Sequence, residues 1–181
     1  GREVANTELP AAIANRVGRG LTSENILTST GSAGILEAGV RAYVSESKPL
    51  VNAAPSYENP TEIAGLLGAE VRRVPVDANL KLDLDGMAEA AKGAGLVFLC
   101  NPNNPTATAH SQSAVSAFIQ RVKSDSPDTA ILVDEAYIDY ATDTTVGTSA
   151  AETLRYDDVF VARTFSKAYG MAGLRMGYAT G

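Results

Sequence analysis

Apolar positions along this chain recur with two periods that take turns. Short runs rich in Val, Ile and Leu alternate with longer stretches in which apolar residues return every three or four positions. A continuous apolar run suits a strand buried on both faces, and the longer period is that of a helix lying over such a sheet. Seven runs read as strands: "NILTST" (25–30), "PLVNAAP" (49–55), "EVRRVPV" (70–76), "GLVFLCN" (95–101), "AILVDEA" (130–136), "DVFVART" (158–164) and "RMGYAT" (175–180). Ile35, Leu36, Val40 and Tyr43 mark the apolar face of one intervening helix, and Val115, Phe118, Ile119 and Val122 that of another. The alternation predicts an α/β fold, a three-layer αβα sandwich around a mainly parallel seven-stranded sheet.

Two runs carry features that set their place. Pro75 has no N–H to give to a ladder, which puts 70–76 at an edge of the sheet. Only "SKAYGMAGLR" separates the last two runs, barely enough for a crossover helix, so the final strand is expected to run antiparallel to its neighbour. No repeat, low-complexity run or linker interrupts the 181 residues, which are expected to form one domain. The chain stops at Gly181 directly after a strand and reads as a piece of something longer.

Composition narrows the function. With 45% hydrophobic and 20% charged residues the chain is ordinary globular material, and a net charge of -6 argues against a phosphate-backbone binder, so no nucleic-acid partner is expected. Cys100 is the only cysteine; it reads as a small buried residue and fits a reducing cytoplasm. His110, in "TATAHSQS", reads as a solvated loop residue. One His and one Cys support neither a zinc site nor a Ser-His or Cys-His triad, and no metal is expected. No apolar stretch approaches a membrane span, and "GREVANTELPAAIANRVG" is amphipathic and charged, unlike a signal peptide.

In open α/β sheets, ligands gather at the carboxyl ends of the strands, so the residues just after each run matter most. "GSAG" (31–34) opens a helix and offers backbone N–H groups to an anion, though Ser and Gly are also ordinary at a helix start. Tyr57 in "PSYENP" can lie against a flat ring or simply pack over a helix. "NPNNPT" (101–106) is a Pro-constrained turn that points Asn104 out of the sheet, or is turn chemistry alone. Asp134 in "VDEAY" ends an apolar run, where its charge is costly without a cation. A strand ending in Asp-Glu also holds magnesium in nucleotide hydrolases, but no "GK" occurs in this chain to complete a phosphate loop, and "GRGLTS" lacks the third glycine of a dinucleotide site. Lys167, in apolar surroundings near Arg163 and Arg175, is pressed by desolvation and like charge to lose its proton, and a neutral amine condenses with an aldehyde. The alternative is a surface lysine in a turn.

Taken together, "PSY", "NPNNPT", "VDEAY" and "TFSKAYGMAGLRMGY" resemble, in order and interval, the pyridoxal-phosphate enzymes of the aspartate aminotransferase fold, most closely the histidinol-phosphate aminotransferase branch. The resemblance implies pyridoxal 5'-phosphate as cofactor and residues 1–181 as the large cofactor-binding domain. It makes Lys167 the lysine that forms the internal aldimine and moves the substrate Cα proton. It pairs Asp134 with the pyridinium nitrogen, Asn104 and Tyr137 with the phenolic oxygen, and Tyr57 with the ring face. Ser32, Ala33 and Gly34 would cup the phosphate, closed by Thr164 or Ser166 and by Arg175. Arg163 receives no role, and Ala107 stands where the family's turn usually has glycine. Family members complete their site with an arginine of a C-terminal small domain and a tyrosine of a partner subunit, which implies a homodimer and places both residues outside this segment.

The implied activity is transamination of histidinol phosphate or an aromatic amino acid, with 2-oxoglutarate as acceptor. Two alternatives keep the fold. A phospho-amino-acid decarboxylase uses a closely related domain, although Phe would be more usual where Tyr137 stands. A non-catalytic sensing domain of a transcription regulator would carry a DNA-binding domain upstream.

Overall fold

The computed structural model describes residues 8–181, so the first seven residues of the amphipathic N-terminal stretch lie outside the described residues. Each apolar run becomes a strand trimmed at its polar ends. These are β1 (Ile26–Ser29), β2 (Leu50–Ala54), β3 (Val71–Pro75), β4 (Leu96–Cys100), β5 (Ala130–Asp134), β6 (Val159–Thr164) and β7 (Gly177–Thr180). They form one sheet in the order β1-β7-β6-β5-β4-β2-β3. Five helices flank it: α1 (Glu8–Val17), α2 (Gly31–Tyr43), α3 (Asn59–Leu66), α4 (Leu84–Ala90) and α5 (Gln112–Asp125).

Pairings from β6 through β5, β4 and β2 to β3 are parallel, while β7 runs antiparallel to both β6 and β1. The reversal follows from the short connection, because residues 165–176 hold a single 3-10 turn, Ala172–Leu174, and no crossover helix. β3 lies at the edge, where the donor that Pro75 lacks is not needed. Two boundaries differ from the expectation. The run 130–136 leaves the sheet after Asp134, whose Oδ1 takes the Ala136 N–H in a tight turn. The run 175–180 becomes a strand only at Gly177, because Arg175 adopts a left-handed conformation (φ 50°, ψ 52°) that closes the preceding turn.

The pleat sorts the strand residues into two cores. Val97, Leu99, Ile131, Val133 and Val161 pack with Met87 of α4 and with Val115, Phe118, Ile119 and Val122 of α5. The alternate positions Leu96, Phe98, Cys100, Leu132 and Ala162 pack with Ile35, Leu36 and Val40 of α2 and Ile63 of α3. β4 and β5 are buried at every position, which is why both read as unbroken apolar runs. Each fully buried Leu, Ile or Phe contributes roughly 1.5–3 kcal/mol. Tyr43 is only half-buried, at the rim of the second core, tilted against Phe160 with ring centroids 5.7 Å apart. No helix among the described residues is long and apolar enough to cross a membrane.

The turn after β4 contains a backbone compromise. Ala107 has φ 57°, with its N–H bonded to the Asn103 carbonyl at 2.9 Å. A Cβ is disfavoured in that left-handed region and glycine is not. Ala107→Gly is therefore expected to stabilise the fold by on the order of 1 kcal/mol, read as a higher denaturant midpoint. A midpoint that stayed put or fell would show that the turn carries its alanine without strain.

Candidate active site

All strands but β7 deliver their C-terminal loops to one end of the sheet, and six of the side chains singled out in the sequence meet there. Ser32, Tyr57, Asn104, Asp134, Tyr137 and Lys167 line one small cleft of ≈ 90 Å³, with Cys100 and Ala136 completing its wall. A larger cleft of ≈ 450 Å³ lies between α4 and α5, lined by Asp77, Asp83, Asp85 and Arg121 among others. There Arg121 pairs with Asp85 at 2.5 Å and Glu89 at 2.7 Å. His110 belongs to that second cleft: it is half-buried and its Nε2 lies 2.8 Å from the Leu82 carbonyl. The expectation of a solvated histidine is thus corrected, because a carbonyl of the 77–83 loop comes within reach of the ring.

Asp134 forms the floor of the smaller cleft at the last position of β5, with 4% exposure. Among the described residues its carboxylate accepts one hydrogen bond, from the Ala136 N–H, 3.1 Å from Oδ1. Burial pushes the carboxyl up to about 7; the Ala136 N–H opposes this, the Glu135 charge adds to it and the Lys167 charge opposes it. This is a carboxylate short of a cationic N–H partner. Cys100 is buried beside it, and desolvation drives its thiol well above the usual range, so it serves as wall and not as nucleophile.

Lys167 stands in the loop after β6, with Nζ 5.1 Å from the centre of the Tyr137 ring. The expected apolar surroundings are not there: Lys167 is exposed, as is every residue from 168 to 175. Nor does Arg163 act on it as a free like charge. Its Nη2 donates to Asp139 Oδ1 at 2.9 Å, and its Nε lies 4.0 Å from the buried Glu135 Oε2. Glu135 in turn accepts the Ser149 N–H at 2.6 Å. Arg163 therefore ties β6 to both sides of Tyr137, which lies between Glu135 and Asp139 in the chain.

The start of α2 supplies an anion cup. Gly31 opens the helix at φ 73°, and a Cβ there would lie 2.9 Å from Arg175 Nη2, so only glycine admits the guanidinium so close. From β7, Gly177 packs against Gly31 and Ser32, where an added Cβ would come within 2.5 Å of their backbone atoms. Gly31, Ser32 and Ala33 are the first-turn residues whose N–H groups have no partner within the helix, and Gly34 follows them in the same turn. Arg175 Nη1 approaches Ser166 Oγ at 3.4 Å. Of the two candidate hydroxyls, that of Ser166 is the one in contact with Arg175. Thr164 is buried, donates to the Met176 carbonyl at 3.4 Å and accepts the Ser166 N–H at 3.1 Å.

Three further residues were not flagged by the sequence. Cys100 was read only as core. Asn52, fully buried in β2, donates from Nδ2 to the Tyr57 carbonyl at 3.1 Å. Asn103 bonds across to the Tyr57 loop. A polar residue inside an apolar run was the available signal for Asn52.

A buried carboxylate, a lysine across the cleft and an anion cup beside both are the donor set that pyridoxal phosphate requires: a cationic ring N–H, an aldehyde and a phosphate, in that order. Comparison with known proteins agrees. The model of the family "Aminotransferase class I and II" matches residues 4–181. A histidinol-phosphate aminotransferase of Symbiobacterium thermophilum is 42% identical over 159 residues, 87% of this chain and 42% of that protein. An aromatic amino acid aminotransferase of Streptomyces coelicolor is 36% identical over 98% of this chain and 48% of its own length. The crystal structure of histidinol-phosphate aminotransferase from Sinorhizobium meliloti, in complex with pyridoxal-5'-phosphate, superposes with a TM-score of 0.86 at 32% identity, covering 95% of this chain and 45% of that one. The chain spans about half the length of the curated relatives it matches. With sheet order, strand-end residues and family model in agreement, the chain belongs to the class I and II aminotransferases.

Proposed function

We propose that this chain is the large, cofactor-binding domain of a pyridoxal-phosphate-dependent aminotransferase. The observation that carries the reading is the placement of Asp134 on the floor of the cleft lined by Lys167, with the Gly31 to Gly34 helix start and Arg175 beside it. When bound, pyridoxal phosphate supplies an aldehyde for the substrate amine and an electron-accepting ring. Asp134 would hold a proton on the ring nitrogen, and that cation would offset the burial that raises its carboxyl. Tyr57 covers one ring face, while Asn104 and Tyr137 address the phenolic oxygen. Ser32, Ala33 and Gly34 at the start of α2, with Ser166 and Arg175, would hold the phosphate. Lys167 would anchor the cofactor through its amine, and the same amine, when free, would move the proton at the substrate Cα.

The proposed donor is histidinol phosphate, with an aromatic amino acid as second choice and 2-oxoglutarate as acceptor. Support comes from the "DEAYIDY" and "RTFSKAYGMAGLR" spellings and from relatives bearing both names. A cytoplasmic homodimer belongs to the same proposal, since the resemblance completes the site with a partner tyrosine and a small-domain arginine.

The test is product analysis on the full-length protein with pyridoxal phosphate and each donor. The expected result is a keto product, conversion of the cofactor to pyridoxamine phosphate, and a higher kcat/KM for histidinol phosphate than for phenylalanine. Carbon dioxide release without pyridoxamine phosphate would assign a decarboxylase. Cofactor binding with no turnover of any amine would assign a sensing domain.

A further inference from the structure

Asn103 is one of two asparagines of "NPNNPT" without an assigned task, the other being Asn101, and every polar group Asn103 has is engaged. It is 3% exposed. Its Nδ2 donates to the Pro55 carbonyl at 3.1 Å and to Thr106 Oγ1 at 2.8 Å, and its Oδ1 accepts from Ser56 Oγ at 2.8 Å. Its backbone N–H reaches the Thr108 carbonyl at 2.8 Å, and its carbonyl takes the Ala107 N–H at 2.9 Å. Pro55 and Ser56 lead directly into Tyr57, and Asn103 leads directly into Asn104. One side chain therefore joins the loop after β2 to the loop after β4 at the point where each sends a residue into the cleft.

The sheet does not provide this joint. β2 and β4 pair only at Leu50–Leu96 and Val51–Val97, so their ladder ends three residues before either loop begins. Beyond that point the two loops are held in register by side chains. An amide suits the task because it offers two donors and an acceptor at once from a rigid plane; a carboxylate has no donor, and a serine cannot span both loops. Being buried, these bonds are also costly to leave unmade.

We propose that Asn103 is a positioning residue that sets Tyr57 and Asn104 at a fixed spacing, so that the contact on the face of the cofactor ring and the contact at its phenolic edge move as one unit. This rests on the pyridoxal-phosphate reading above. It predicts that loss of Asn103 disturbs the bound cofactor although Asn103 does not line the cleft.

The experiment uses the full-length protein and three variants: Asn103→Ala, Ser56→Ala and Thr106→Ala. The readouts are the Kd of apoprotein for pyridoxal phosphate, the pH midpoint of the bound cofactor's visible band, and thermal unfolding of the apoprotein. Asn103→Ala is expected to weaken the cofactor roughly tenfold or more and to displace the midpoint of the band. Ser56→Ala, which removes one of the bonds to the Tyr57 loop, is expected to do the same by roughly threefold to tenfold. Thr106→Ala removes an Asn103 partner that lies outside the Tyr57 loop and should leave Kd within about twofold of wild type. A stability loss in Asn103→Ala with wild-type Kd and midpoint would overturn the proposal. So would equal effects of Asn103→Ala and Thr106→Ala. Should Asn103→Ala fail to fold, an unchanged Kd and midpoint in Ser56→Ala overturns the proposal alone. Failure of the wild-type protein to bind pyridoxal phosphate would instead bring down the functional reading.

Discussion

Lys167→Ala is expected to lower the transamination rate by more than about 10³-fold and to abolish covalent retention of the cofactor after borohydride reduction. The size follows from two tasks on one amine, holding the cofactor and moving the Cα proton, neither of which alanine can perform. No other lysine lines the cleft. The exposure of Lys167 makes the substitution mild for the fold, because an exposed side chain gives up little packing when it is truncated. Apoprotein of the variant should therefore unfold within about 0.5 kcal/mol of wild type, and the lost activity then reports chemistry. Mass spectrometry after reduction is the decisive measurement: a cofactor adduct still present in Lys167→Ala would move the assignment to another residue.

Asp134→Asn is expected to work in opposite directions on stability and on activity. In the unfolded chain the carboxyl titrates near its ordinary value of 3.8, whereas in the fold burial holds it at about 7. Between those values the unfolded state gives up the proton and the folded state keeps it. A raised carboxyl therefore lowers stability as pH climbs through that window, with the full penalty reached above about 7. An amide of the same shape has no charge to bury. At pH 8 the apoprotein of Asp134→Asn should be more stable than wild type by on the order of a few kcal/mol, and at pH 4 the two should nearly coincide. The same substitution removes the proposed partner of the ring nitrogen, so the rate should fall about 10²-fold or more. Thermal unfolding of both apoproteins at the two pH values checks the first half. A variant no more stable at pH 8 would mean that the cleft solvates Asp134 better than its burial indicates.

Much of this site was legible because its residues follow apolar runs. A strand must end where the apolar run ends, and in a parallel sheet all those ends point the same way, so Tyr57, Asn104, Asp134 and Lys167 could be gathered without coordinates. What could not be read is how each charge is matched. Arg163 looked like a repulsive neighbour of Lys167, yet its guanidinium is taken up by Asp139, 24 residues away in sequence. Lys167 looked buried because its chain neighbours are small and apolar, but burial depends on which loops fold over it. Thr164 and Ser166 were interchangeable candidates until the Met176 carbonyl claimed one hydroxyl.

By itself the sequence determined the α/β class, the edge position of β3 and the antiparallel β7, since these rest on run length, one proline and one short connection, all local quantities. It also determined the family, through motifs whose order survives without knowledge of their contacts. Only the tertiary structure decided the pairing of Arg163, the surroundings of Lys167 and the work of Asn103. Those are set by hydrogen bonds between loops far apart in the chain, as with Ser56 and Asn103, 47 residues apart. Such bonds leave no periodic trace in the order of residues, because they depend on where two chain ends of a sheet meet in space and not on what either segment prefers alone.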